Sequence, residues 1–225
     1  MVAQIWNSLT TRSDFYLQLL LQHLYISLTA ILIASAIGLV IGTLISEYQK
    51  ASGFTLGIIN VVYTIPSISL LGLLIPLSGI GNTTAVIALT IYALLPMVRN
   101  THTGITGIDK NIIAGARALG LNDFQVLLKV KLPLALPVIV SGLRTMVVMT
   151  VALTGIASFI GAGGLGVAIY RGITTNNMAM TLVGSILIAV LAFSMDAIMG
   201  GIGRLVESRE RKKWFGMWAN RRRVS

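Results

Sequence analysis

Residues 51–98 contain no charged side chain, and this uncharged stretch limits what the chain can fold into. Soluble domains are about 25% charged, whereas this chain is 11% charged and 55% hydrophobic. About 20 apolar residues suffice to cross the hydrocarbon core of a bilayer. The stretch is therefore long enough for two membrane-spanning helices, and the sequence predicts an integral membrane protein.

Further apolar blocks precede and follow the uncharged stretch, which the turn-like run at residues 78–82 divides in two. Blocks of this length are typical of helices that span membranes. We therefore predict an all-α protein with a single transmembrane domain over residues 1–205. Its five spanning helices are predicted at residues 15–46, 54–77, 83–100, 138–160 and 178–203.

The basic residues are distributed unevenly between the two sides of such a bundle. The chain has 17 lysines and arginines and a net charge of +10. With five spans, all of the lysines and arginines except Arg12 and Arg171 fall on the side of the membrane that holds the C-terminus. Cytoplasmic loops carry this excess, so we predict an outside N-terminus and a cytoplasmic C-terminus. Residues 206–225 form a predicted basic cytoplasmic tail, which anchors the topology and is also suited to anionic lipid.

The segment between the third and fourth predicted spans, residues 101–137, has local signals for two short helices joined by a sharp turn. Gly120 stands where a helix ends in a left-handed residue, and Asn122 with Gln125 fits a capping box. Pro133 is expected to end the second helix. The spacing also predicts that four apolar residues of the first helix share a face: Ile112, Ile113, Ala116 and Leu119.

Three interpretations of this segment compete. A helix-turn-helix that reads DNA has similar spacing, but predicted spans begin within a few residues on either side of the segment. A generic amphipathic surface loop is the plainest alternative. The third interpretation is a docking helix for a cytoplasmic protein partner.

The segment resembles the EAA loop of ABC importer permeases, the binding-protein-dependent inner-membrane components. That pattern is Glu-Ala-Ala, three residues, Gly, nine residues, an aliphatic residue, one residue and Leu-Pro, and Val130 fills its aliphatic position. The family's glutamate is Ala114 here and the next residue is Gly115, so this chain lacks the acidic side chain. The resemblance implies a coupling helix that docks on the ATPase through Ala114, Gly115, Ala116, Arg117, Ala118, Leu119, Gly120, Leu121, Leu132 and Pro133.

Residues 63–81, 132–145 and 159–173 resemble the osmoprotectant branch of that family, which takes up glycine betaine, carnitine and choline. The resemblance implies a permease subunit of an ATP-driven importer in the bacterial cytoplasmic membrane, which works by alternating access. It implies cytoplasmic ABC ATPase subunits, an extracytoplasmic substrate-binding protein, and a second permease copy or a related permease as partners in the bilayer, with no role for nucleic acid.

The chain contains no P-loop pattern, so we expect ATP and Mg in the partner ATPase and no cofactor in this chain. The absence of cysteine excludes disulfides and thiolate metal sites. His23 and Asp196 stand alone in different spans, so we predict a transport subunit without a catalytic or metal site rather than an enzyme. The alternatives are an importer of another small solute, such as an amino acid, or an ATP-independent carrier or channel.

Six residues are candidates for the wall of the translocation pathway. Proline invites a kink in a spanning helix, and hydroxyls beside it serve either the solute or their own helix. Tyrosine rings suit a quaternary ammonium or an interfacial belt. An acidic residue inside a span either pairs, here with Arg99 or Arg144, or acts in the pathway. The candidates are Tyr63, Pro66, Ser67, Ser69, Tyr92 and Asp196.

Two glycine patterns have both a structural and a functional interpretation. Gly38 and Gly42 form G-x-x-x-G in the first span, a spacing that serves helix packing within the chain or between subunits. Gly161, Gly163 and Gly166 fit G-x-G-x-x-G, the spacing of a dinucleotide site. An apolar span precedes them in place of the strand that such a site requires, so we predict a flexible, closely packed outer loop.

Overall fold

The computed structural model describes the backbone of residues 2–221 and the side chains of residues 2–208. Over these residues the fold is all-α, as predicted. The helices in chain order are α1 (Val2–Thr11), α2 (Ser13–Glu47), α3 (Gln49–Thr64), α4 (Ser67–Ser78), α5 (Asn82–Thr106), α6 (Lys110–Ala118), α7 (Asp123–Val126), a π-helical turn (Leu127–Lys131), α8 (Leu132–Thr154), a 3₁₀ turn (Ile156–Ile160), α9 (Gly166–Thr174) and α10 (Met178–Arg221).

Four helical segments are long and apolar enough to cross a membrane, and they match the first, third, fourth and fifth predicted spans. The third span extends beyond its prediction, to Thr106, and the fourth begins at Asp123 instead of residue 138. The segments are Ser13–Glu47, Asn82–Thr106, Asp123–Thr154 and Met178–Ser208.

The second predicted span is broken rather than kinked. Helices α3 and α4 meet at 98° around Ile65 and Pro66. A proline disfavours the helical conformation of the residue before it, and Ile65 has extended dihedrals (φ −68°, ψ 127°) that end α3. Pro66 then caps α4. The fifth span exists only if this bent pair crosses the membrane as one unit.

The prediction that Pro133 ends the second short helix is wrong. Helix α7 continues through the π-helical turn into α8, and Pro133 lies in the first turn of α8. A proline there lacks one N–H donor and crowds the preceding turn. The wider π turn, in which the Leu132 N–H bonds to the Leu127 carbonyl, relieves that crowding. The fourth span and the second short helix are therefore one continuous helical unit, Asp123–Thr154.

The core forms where α2 and α8 pack against α5, and two glycines allow the closest approach of α2 and α5. A methyl group on Gly38 would lie 2.7 Å from Met97, and one on Gly42 would lie 2.5 Å from Thr101. Real Cβ atoms do not come this close, so only glycine fits. The G-x-x-x-G pattern therefore serves packing within the chain.

The glycine-rich loop after α8 is bound to the first and third spans by side chains. Gln22 and Asn82 accept hydrogen bonds from the N–H groups of Gly164 (3.2 Å) and Gly163 (2.8 Å). His23 is fully buried; its Nδ1 accepts from the Leu165 N–H at 3.3 Å, so Nε2 donates to the Val151 carbonyl at 2.9 Å. The loop is closely packed, as predicted.

Helix α10 runs without a break through the last span and on to Arg221. Part of the predicted tail is therefore a continuation of the fifth span. The basic side chains of the tail beyond residue 208 lie outside the described side chains.

Candidate translocation groove and coupling elbow

The segment between α5 and α8 forms a rigid turn, which we call the elbow (residues 107–131). Helix α6 begins at Asp109, whose side chain accepts a hydrogen bond from the Asn111 N–H at 2.8 Å. Its end has both hydrogen bonds of a Schellman motif, since the Leu121 N–H bonds to Ala116 O and the Gly120 N–H to Arg117 O. Gly120 has φ +86°, as its predicted left-handed conformation requires.

Two further contacts fix the second half of the elbow. The predicted capping box is present, with reciprocal hydrogen bonds between Asn122 and Gln125. Arg117 donates from Nε and Nη2 to Asp123 Oδ1 at 3.1 and 2.8 Å. This pair joins α6 to α7 across the turn, so the angle between the two helices is held by side chains as well as by backbone.

The exposed surface of the elbow carries charged side chains and several large apolar ones, and these apolar residues differ from the predicted face. Of the four residues predicted to share a face, Ala116 is buried, but Leu119 is 84% exposed because it lies in the helix cap after the last turn of α6. Phe124 is also 68% exposed. Sequence reasoning did not identify Phe124, which lies in α7, as a surface residue. Two large apolar side chains therefore project from a rigid turn.

The elbow is tied to the spans at its far end. Lys131 Nζ lies 2.6 Å from Glu47 Oε1 at the end of α2, and both side chains are largely covered. Leu132 and Pro133, which the resemblance assigned to the coupling loop, are half-buried in the first turn of α8. They belong to the spanning helix, whereas residues 114–121 form the exposed turn. The elbow is thus joined to α8 by continuous helical backbone.

Asp196 of α10 pairs with Arg144 of α8, one of its two predicted partners. Nε and Nη2 of the guanidinium donate to Oδ1 and Oδ2, each at 2.6 Å. The pair lines an open groove of about 640 Å³ along α8, which we call the α8 groove. Its wall consists of Ser141, Arg144, Thr145, Val148, Met149, Ala152 and Asp196.

The position of this pair makes contact with lipid unfavourable. Arg144 lies near the middle of α8, ten residues before the end of that helix at Thr154, about 15 Å along the helix axis. A charge near the centre of a spanning helix costs at least about 2.5 kcal/mol unless it faces protein or water. The side chains of Arg144 and Asp196 are 47% and 37% exposed. The α8 groove therefore faces water or another protein surface.

Tyr63 connects the α8 groove to the break in the second span. Its hydroxyl donates to Met149 Sδ at 3.2 Å, and its ring packs edge-on against Tyr92 at 5.8 Å. The Tyr92 hydroxyl donates to the Ile65 carbonyl, which has no helical donor because the backbone leaves the helical conformation at Ile65. Tyr63 is 41% exposed and Tyr92 only 6%, so of these two tyrosines only Tyr63 is exposed at the surface of the subunit.

The remaining pathway candidates lie near this break but are not joined to the groove. Pro66 and Ser69 are exposed and Ser67 is half-buried. The side chains of both serines make no hydrogen bond among the described residues, whereas Thr64 bonds back to the Val61 carbonyl at 2.7 Å. Within the described part of the chain, no three metal-binding side chains come together. Arg144 and Met149, which sequence reasoning did not propose for the pathway, line the α8 groove, and Met149 contacts Tyr63.

The family model for the binding-protein-dependent transport system inner membrane component matches residues 34–212. This range contains the elbow, the α8 groove and the broken span. The chain belongs to this family. It is a multi-pass protein of the plasma membrane, and the prediction of a transport subunit rather than an enzyme is confirmed.

Curated members of the family are similar along most of the chain. The glycine betaine/carnitine/choline transport system permease protein OpuCD of Bacillus subtilis is 38% identical over 99% of this chain and 97% of its own length. The choline transport system permease protein OpuBD of the same organism is 39% identical over 85% of each chain. The osmoprotectant import permease protein OsmW of Salmonella typhimurium is 39% identical over 83% of this chain and 89% of its own.

Solved structures of family members have the same architecture. An inward-facing structure of the MetNI methionine ABC transporter matches with a TM-score of 0.78 and 25% identity, over 85% of this chain and 95% of that chain. A crystal structure of an amino acid ABC transporter with histidines shares the fold, with a TM-score of 0.72 and 21% identity over 90% of this chain. The fold is therefore that of an ABC importer permease.

Proposed function

We propose that this chain is the permease subunit of an ATP-driven importer of quaternary-ammonium osmoprotectants such as glycine betaine, carnitine and choline. The observation that carries the proposal is the similarity to OpuCD, a glycine betaine/carnitine/choline transport system permease protein. The similarity extends over 99% of this chain. The exposed half of Tyr63 is suited to the substrate class, because ring faces attract cations that cannot form hydrogen bonds.

The elbow is the docking element for a cytoplasmic ABC ATPase in this proposal. Its apolar projections, Leu119 and Phe124, suit a groove on a partner protein. The turn is rigid because Arg117, Asp123 and the Gly120 cap fix its shape. ATP and Mg bind to the ATPase, and closure of the ATPase moves the elbow together with α8.

The pathway lies between this subunit and a second copy or a related permease. Open charged grooves at mid-membrane depth require a water-filled or protein-covered environment, and the α8 groove is open on the surface of the single subunit. A partner permease facing α8 supplies that cover. Alternating access follows when ATP favours one arrangement of the two subunits over the other.

The charge distribution supports a cytoplasmic elbow and C-terminus with the N-terminus outside. Lys131 and Glu47 meet at one end of the bundle, the end that holds the basic elbow. Gln22, Asn82 and the glycine-rich loop meet at the other end. Basic residues favour the cytoplasmic side. In this arrangement the bent α3–α4 pair crosses the membrane as one span, and an extracytoplasmic binding protein delivers the solute to the glycine-rich end.

Uptake into proteoliposomes tests the proposed substrate class. The permease is reconstituted with its ATPase and saturating binding protein, and uptake of labelled glycine betaine, carnitine, choline and methionine is followed. We expect ATP-dependent uptake of at least one quaternary ammonium compound and none of methionine. The second candidate is an amino acid importer, favoured by the fold of the methionine transporter. Uptake of methionine without uptake of quaternary ammonium compounds would establish that candidate.

A further inference from the structure

The hydrogen bonding of Arg144 differs from that of a purely structural ion pair. The guanidinium binds Asp196 through Nε and Nη2. Its Nη1 amino group has no acceptor among the described residues, although arginine can donate five hydrogen bonds. The side chain of Arg144 is 47% exposed and lines the α8 groove, so the guanidinium is accessible from that groove, and its Nη1 lies beside Gly200 of α10.

We infer that the Arg144–Asp196 pair holds a zwitterionic solute in transit, with the solute carboxylate on the Arg144 guanidinium and its quaternary ammonium group beside the Asp196 carboxylate. This inference rests on the proposed function and assigns it a site. The free Nη1 donors receive the carboxylate first. The two side chains then separate as each gains a partner of opposite charge.

The exchange has a simple electrostatic basis. A zwitterion brings one positive and one negative group, so every charge in the groove is compensated before, during and after the exchange. A cation without a carboxylate compensates Asp196 but leaves Arg144 unpaired at mid-membrane depth, where an uncompensated charge is unfavourable. The pair therefore favours zwitterions over simple cations.

The apolar part of the groove suits the methyl groups of the ammonium ion. Met149 follows Arg144 by five residues on α8, about 7.5 Å along the helix axis. The Met149 sulfur accepts a hydrogen bond from the Tyr63 hydroxyl. This contact places the half-exposed Tyr63 ring at the part of the groove that Met149 lines. A thioether and an aromatic ring both favour methylated cations over hydrated metal ions. The groove thus has an anion-binding position and an apolar wall on one face.

The test compares uptake of glycine betaine and choline, which share the trimethylammonium group and differ in the carboxylate. Every sample contains the same ATPase and the same saturating binding protein, and only the permease differs. A change in the ratio of glycine betaine to choline uptake is therefore caused by the permease substitution. In Arg144→Gln we expect the ratio of glycine betaine to choline uptake to fall by about tenfold or more, the effect of one lost charged hydrogen bond. Arg144→Lys should recover part of the ratio.

Two controls separate this role from stability and from general loss of charge. Arg144→Gln/Asp196→Asn leaves no unpaired charge and should fold, yet it should have the same low ratio as the single variant. Arg99→Gln removes another spanning arginine, which binds Asn60 away from the groove at 2.8 Å, and should keep the wild-type ratio. An unchanged ratio in the folded double variant would overturn the inference. Wild-type vesicles that transport neither solute would instead overturn the proposed function.

Discussion

At the residue scale, the side chains that matter most are polar ones with specific partners. His23 is a lone histidine in a span, and the sequence predicted only that it belongs to no catalytic or metal site. The structure shows that both ring nitrogens bond to backbone groups more than 120 residues away. Those partners are brought near by the packing of α2 on α8, which no local pattern of residues around position 23 encodes.

Replacing His23 with leucine should destabilise the protein. The substitution leaves the Val151 carbonyl and the Leu165 N–H buried without partners, and each such group costs about 1–3 kcal/mol. We expect a clearly lower midpoint of thermal unfolding for the purified protein in detergent. His102→Leu is the matched control, because the His102 side chain is only half-buried and makes no hydrogen bond among the described residues. Equal melting temperatures for the two variants would contradict this account.

At the element scale, local signals predicted the short helices well and the long-range geometry poorly. The Gly120 cap and the Asn122 capping box depend on residues within a few positions, so the sequence sufficed for the turn between α6 and α7 but not for the continuation of the second helix past Pro133. At Pro66 the sequence predicted a kink, whereas the structure has a break, where the Tyr92 hydroxyl of α5 binds the Ile65 carbonyl. Two arginines were equally plausible partners for Asp196, and only the approach of α8 to α10 selects Arg144.

The packing of α2 on α5 predicts opposite effects for two glycine substitutions in helices. Gly42→Ala places a methyl group 2.5 Å from Thr101 and 2.9 Å from the Val98 carbonyl, so the helices must separate at a cost of about 1–3 kcal/mol. Gly57→Ala in α3 has no atom within 4 Å of the new methyl group and should be neutral or stabilising. Unfolding midpoints in detergent provide the measurement, and a Gly42→Ala protein as stable as wild type would refute the packing account.

At the scale of the whole molecule, membrane topology follows from charge and from the crossing of the bent α3–α4 pair. The chain has no cysteine, so single-cysteine variants report one position each. We expect a membrane-impermeant maleimide to label Thr175→Cys, between α9 and α10, in intact cells. Asn111→Cys in the elbow should react only after lysis. Labelling of both positions in intact cells, or of Asn111→Cys alone, would require a different number of crossings or the opposite orientation.

The elbow is proposed to couple ATP hydrolysis in a partner ATPase to movement of the spanning helices. The most direct measurement compares ATP-driven uptake and stimulated ATPase activity in proteoliposomes containing wild type, Leu119→Asp or Val2→Asp. Leu119 and Val2 are 84% and 81% exposed, so neither charge disturbs the core. The account predicts that Leu119→Asp inserts normally but loses ATPase binding, stimulated hydrolysis and uptake together, while Val2→Asp retains ATPase binding. ATP-independent uptake by wild type, or full coupling in Leu119→Asp, would contradict it.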